Sequence, residues 1–146
     1  MIVYSSTKEN FIEDVFTNQI ADKVLKFFKQ KLNRSTSSNE IRSWENSLMY
    51  MSQILNHDDI PNDTTIHIEY QIPQTSKRID FIIAGKNDAY KDVVLVVELK
   101  QWSEADATDM DAIVRTYVGG GIREVSHPSY QAWSYTALMY DFNETV

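Results

Sequence analysis

Apolar and polar positions along the chain change period several times, and each change marks an element. Phe11, Val15, Val24, Phe28 and Leu32 recur at roughly helical intervals behind Ser6-Thr7-Lys8-Glu9, which has the form of a capping box. This predicts a first helix near residues 7 to 32. The polar stretch Asn33 to Asn39 reads as a linker ending in a new helix cap. Beyond it Ile41, Trp44, Leu48, Met51 and Leu55 alternate steps of three and four residues, one apolar stripe on a second helix that stops before His57 to Pro61.

From Thr65 the period becomes two. Ile66, Ile68, Tyr70 and Ile72 alternate with His67, Glu69 and Gln71, as in a strand with one buried face. Pro73 to Ser76 makes a turn, Arg78 to Ile83 a second strand, and Gly85 to Lys91 a polar loop. Val93 to Val97 is a continuous run, mostly β-branched, of the kind that forms a central strand covered on both faces, and it stops abruptly at Glu98-Leu99-Lys100. After an acidic loop, Glu104 to Asp111, two short strands flank Gly119-Gly120-Gly121 and predict a hairpin. Ser126-His127-Pro128 then opens a last helix running to about Asp141. The order predicts an α/β (α+β) fold, a small mixed sheet flanked by helices.

Composition narrows the class. With 146 residues, 42% of them hydrophobic and 12% aromatic, the chain has the material for one core. No apolar run is long enough to span a bilayer and the N-terminus lacks the pattern of a secretory signal, which predicts a soluble, cytoplasmic protein without a membrane partner. With no cysteine, disulfides and thiolate zinc sites are excluded, so a bound metal must use oxygen or imidazole ligands. The net charge of −7 argues against an autonomous DNA-binding module. It is compatible with carboxylates that hold a cation.

Three charged residues lie where apolar ones are expected. Asp80 interrupts an apolar strand between Ile79 and Phe81, while Glu98 and Lys100 share one side of a strand end. On adjacent strands, Asp80 and Glu98 converge on one point. Two carboxylates with the Leu99 carbonyl and waters suit octahedral Mg²⁺, with Mn²⁺ a natural substitute. Lys100 on the same side would orient a metal-activated water or offset charge on a phosphorane. The plainer alternative is a salt bridge between Asp80 and Lys100 at a sheet edge, with Glu98 marking the strand end. Each residue alone favours that alternative; the three together, on adjacent predicted strands, favour a hydrolytic site.

Asp80 followed by Glu98-Leu99-Lys100 resembles the PD-(D/E)XK nuclease superfamily, with Ile79 in place of the usual proline. The resemblance implies a restriction-endonuclease-like core and phosphodiester cleavage, with Asp80 and Glu98 on the metal and Lys100 assisting water. It also points to Glu45, on the helix before the sheet, as a further acid. Gln131 and Tyr135 fit the Q-x-x-x-Y motif of RecB-like exonucleases, and their spacing puts both on one helix face. They and His127 are candidate substrate contacts. Packing is the plain alternative for the first two, and a helix-start hydrogen bond for His127. Arg115 and Arg123 read as solvated strand residues, and Trp102 as a base-stacking or half-buried ring.

The segments Glu69 to Asp80 and Glu98 to Gln131 also look like the N-terminal region of bacterial Schlafen-related helicase-like proteins, which covers most of the chain from about Trp44. That likeness implies residues 1–38 as an N-terminal helix and linker and 39–146 as the nuclease-like core, excised from a longer protein with a C-terminal P-loop helicase-like domain. No P-loop motif is present in this sequence. The superfamily's last core strand would be missing, which leaves an open edge and suggests a homodimer. The expected activity is Mg²⁺-dependent hydrolysis of nucleic acid, DNA first. The alternative is a catalytically silent nucleic-acid-binding or protein-docking module.

Overall fold

The computed structural model describes residues 1–33 and 35–143, so Arg34 in the linker and the chain end at 144–146 lie outside the described residues. It shows an α+β protein with two small sheets, both antiparallel throughout where the order of elements in the sequence predicts a mixed sheet. The chain divides into two compact units, Met1–Val97 and Glu98–Val146.

The first unit runs β1 (Ile2–Thr7), α1 (Lys8–Phe16), α2 (Ile20–Leu32), α3 (Ser38–Leu55), β2 (Thr65–Gln71), β3 (Arg78–Lys86) and β4 (Asp92–Val97), with sheet order β1-β2-β3-β4. Within residues 1–38, expected as a helix and linker, β1 is an edge strand of the sheet, and α1 and α2 pack on it and on α3. The single helix expected over 7–32 is two. Thr7 rather than Ser6 caps α1, its side chain accepting from the Asn10 amide at 3.3 Å. Asn18, at φ 55°, turns the chain between α1 and α2.

Fully buried Val3, Phe11, Val24, Leu48, Leu55, Ile66, Ile68, Ile79 and Phe81 form the core, with Phe11 edge-on to Phe81 at 5.5 Å. Two charged groups inside it, Asp14 and Lys8, are partnered. Tyr4 Oη and Lys23 Nζ donate to the two oxygens of buried Asp14 at 2.8 and 2.6 Å, tying β1, α1 and α2 together. Lys8 is almost fully buried and donates to the His57 and Ile60 carbonyls at 2.9 and 2.5 Å, just past the C-terminus of α3, where a cation is favoured. The valine-rich run forms β4, but as an edge strand and not a covered central one: Val94 and Leu95 are 54% and 53% exposed. β-branching favours extended backbone whether or not a layer covers it.

The second unit holds β5 (Asp106–Ala107), β6 (Ile113–Val118), β7 (Gly121–Ser126) and α4 (Pro128–Asn143). The predicted hairpin is β6–β7. Its turn places Gly119 and Gly120 at φ 61° and 83°, the left-handed pair that a two-residue type I′ turn requires. Arg115 pairs with Glu124 across the hairpin at 3.0 Å and Arg123 donates to the Gly119 carbonyl at 3.4 Å. No helix among the described residues is long and apolar enough to cross a membrane.

Candidate functional site

In the second unit the two short motifs meet. Glu98 follows directly on β4 and its side chain is only 3% exposed. Lys100 Nζ lies 2.6 Å from Glu98 Oε1, and Gln131 Nε2, from the first turn of α4, donates to the same oxygen at 2.6 Å. Gln131 Nε2 also donates to Tyr135 Oη at 2.8 Å, one turn further along α4, where Tyr135 is buried. Thirty-three residues separate Glu98 from Gln131, so this is a tertiary convergence and not a local one. Lys100 Nζ further stands 6.0 Å from the centroid of the half-buried Trp102 ring, a cation–π contact.

His127 takes no part in this cluster through its ring. Its Nδ1 accepts from the Ser129 amide at 3.1 Å, and its carbonyl accepts the first helical bond, from Gln131 N at 3.1 Å. It starts α4, the plain alternative for this residue. Leu99 is half-buried between the two charged residues.

Asp80 belongs to the first unit, half-buried on β3. Phe81 pairs with Val97 at the end of the β3–β4 ladder, so Asp80 is the next residue outward on β3. Level with Asp80 on its other side is Glu69, bracketed by the pairs Ile68 with Phe81 and Tyr70 with Ile79. Glu69 sits at φ 56°, outside the ordinary strand region. Its carboxylate accepts from Trp44 Nε1 at 2.9 Å and lies 2.8 Å from Arg78 NH1, an ion pair without hydrogen-bond alignment. Arg78 NH2 donates to Glu40 at 3.0 Å, the Thr36 hydroxyl also bonds Glu40, and the guanidinium lies over Phe28 at 5.2 Å. Burial pushes the Glu69 carboxyl up to about 7, against the pull of Arg78 and Trp44, and the charges of Asp80 and Glu40 push the same way.

Nothing in the sequence singles out this network. Glu69 occupies a polar position of the β2 alternation, and alternation gives no hint that its backbone leaves the strand conformation. The residue to which the resemblance points on the preceding helix is Glu45, but Glu45 is exposed and opens on a cleft lined by Ile12, Val15, Ala21 and Met49. Glu40 and Trp44, four residues apart on one face of α3, are the ones that face Arg78 and Glu69. Arg115 and Arg123 are engaged within the hairpin, in keeping with solvated strand residues.

Among the described residues no group of three or more His, Asp or Glu side chains could hold a metal ion. The donors that the sequence nominates for a hard cation are two carboxylates, Asp80 and Glu98, and the Leu99 carbonyl. Mg²⁺ commonly binds through one or two carboxylates and keeps several waters, so oxygen donors of this number and type fit it. Comparison of the chain with protein-family models, with curated proteins and with solved structures gives no match.

Proposed function

We propose that this protein is a metal-dependent nuclease of the PD-(D/E)XK type, hydrolysing phosphodiester bonds of nucleic acid, DNA in the first instance. The observation that supports this reading is the convergence of Glu98, Lys100, Gln131 and Tyr135. An ion pair alone would explain Glu98 and Lys100. It would not explain why an amide from a distant helix, itself held by a buried phenol, is aimed at the same carboxylate oxygen.

Asp80, Glu98 and the Leu99 carbonyl would hold Mg²⁺ or Mn²⁺, which when bound polarises a phosphoryl oxygen and makes a water acidic. Gln131 fixes the Glu98 carboxylate in one rotamer, and Tyr135 fixes Gln131. Lys100 carries a positive charge beside a carboxylate that solvent hardly reaches, so its field is less screened than at an open surface. It is positioned to favour the negative charge that develops on phosphate oxygens during attack. The Glu69–Arg78–Glu40 network adds charge next to Asp80 on the same sheet. In this reading the protein works in the cytoplasm, with a P-loop motor in a longer chain supplying the strand and the exposed edge β4 open to a second copy.

The test is cleavage of single-stranded DNA, duplex DNA and RNA with Mg²⁺, Mn²⁺ or EDTA, comparing wild type with Asp80→Ala and Glu98→Gln. Metal-dependent cleavage abolished by either substitution in a folded protein is the expected result. A folded wild type that cuts none of the three with either metal would replace the proposal with a binding module that has no turnover.

A further inference from the structure

The two edges of the four-stranded sheet are built differently. β1 is closed where it starts by Lys31 of α2, whose Nζ donates to the Ile2 carbonyl at 2.8 Å, and a lysine laid on an edge keeps other strands from pairing there. β4 has no such guard. Its ladder with β3 runs one-to-one from Phe81 with Val97 to Lys86 with Asp92, without a bulge, and Val93 to Val97 contains no charge, glycine or proline. On its other side no strand pairs with it among the described residues. Val94 and Leu95, which point to opposite faces, are 54% and 53% exposed. Alternate residues of β4 therefore turn their amides and carbonyls away from β3, and a second extended segment is what pairs with such a row.

Charge decides which segment. At the Asp92 end the edge runs into a cleft of about 890 Å³ whose lining includes Val93 and Val94. Asp59, Asp63, Asp88 and Asp92 line it against one base, Lys86, which is engaged by Asp92 at 2.6 Å. Tyr90, at φ 58° and 83% exposed, stands on the same rim and offers a ring face to a cation. A second copy of β4 laid antiparallel along the edge would bring Val97 and then Glu98 to this cleft, on a chain that again carries a net charge of −7. The cleft is complementary to a base instead.

We infer that the β4 edge takes up an extended basic segment of a partner protein, which adds a strand to the sheet and places a lysine or arginine in the aspartate-lined cleft. Main-chain hydrogen bonds along β4 supply the affinity, and Val94, Leu95 and the aspartates supply the selection. Run antiparallel to β4, the segment carries β-branched residues first and its bases at the C-terminal end. The inference is independent of the nuclease reading, since it uses none of the residues assigned to cleavage.

The test is titration of the full chain, labelled with ¹⁵N, with the synthetic peptide Thr-Val-Thr-Val-Thr-Lys-Arg, followed by amide shifts and amide exchange. Two control peptides are titrated beside it: one ends in Glu-Glu, and one has its central Val-Thr-Val replaced by three prolines, which keeps the bases and removes the strand donors. The first peptide should bind about tenfold or more tightly than either control, with shifts at Val93 to Val97 and new exchange protection at alternate β4 amides. Asp63→Asn combined with Asp88→Asn, both exposed, should weaken that binding several-fold and flatten its salt dependence while circular dichroism stays unchanged. Equal binding of the proline peptide would leave charge attraction alone and overturn the inference. So would equal binding of the acidic peptide, undiminished binding by the double variant, or no binding of the first peptide. A wild type that binds none of the three and dimerises through β4 in sedimentation would give the edge to a second copy.

Discussion

Replacing Glu69 by glutamine should make the protein's stability less sensitive to pH, and the size of the change follows from the burial of this carboxyl. Its side chain is 7% exposed and its pKa is raised from 4.5 to about 7. A carboxyl raised on folding favours the folded state while it is protonated. Its stabilising contribution is therefore complete below 4.5, fades as pH rises, and is gone above about 7. Over the whole window the loss is about 3 kcal/mol at 1.36 kcal/mol per pH unit, and most of it falls between about pH 5 and pH 8.

A glutamine at this position would still offer an oxygen to Trp44 Nε1 but would not titrate, so Glu69→Gln isolates the contribution of the carboxyl's ionisation. Every other group is common to both proteins and cancels in the comparison. The assay is thermal or urea unfolding followed by circular dichroism at several pH values. The variant should gain on wild type as pH rises, by about 5 to 10 °C in Tm between about pH 5 and pH 8. Two curves that stay parallel over that range would refute the reasoning. A wild type that gains on the variant as pH rises would mean that Arg78 outweighs burial and that Glu69 is held ionised.

Two further outcomes are expected. Phe81→Ala empties a fully buried site against Phe11 and should cost about 3 to 5 kcal/mol in equilibrium unfolding, with unfolding that disperses the first unit's signals before those of β6 and β7 in amide exchange. Lys100→Ala should lower the cleavage rate by about 100-fold or more while metal affinity, read by calorimetry, changes little; equal loss of both would argue against a role for the ammonium in turnover.

Much of the fold could be read from the periods of the sequence, and the failures have physical causes. The stripe from Ile41 to Leu55 became α3, and the diglycine turn became the hairpin, because both signals are local. β1 is not local: Ile2–Thr7 alternates poorly and is a strand because β2 pairs with it, from Ile2 with Tyr70 to Thr7 with Thr65. The break between α1 and α2 is a single left-handed asparagine that leaves the apolar spacing almost undisturbed. For Val93 to Val97 the period gave the conformation correctly and the cover wrongly, since strand propensity does not report which layers surround a strand.

The candidate site divides in the same way. Glu98, Lys100, Gln131 and Tyr135 were legible because their spacing survives as geometry: i and i+2 just past the end of β4, i and i+4 on a helix. Glu69 was not, because its role depends on a backbone turned out of the strand region and on Trp44 and Arg78, 25 residues upstream and nine downstream. A left-handed glutamate costs on the order of 1 kcal/mol, and the ionised carboxyl costs more by burial. Asparagine or glycine would take the same backbone more easily and serine would bury with a smaller penalty. What none of these could supply is a charge level with Asp80 that Arg78 must share with Glu40. Asp80 therefore stands beside a carboxyl poised to titrate near neutrality. Asp80→Asn removes one of the charges that raises Glu69, so it should lower the Glu69 midpoint seen by carboxyl ¹³C NMR. An unmoved midpoint would show that the two carboxyls, level on the ladder, do not sense each other.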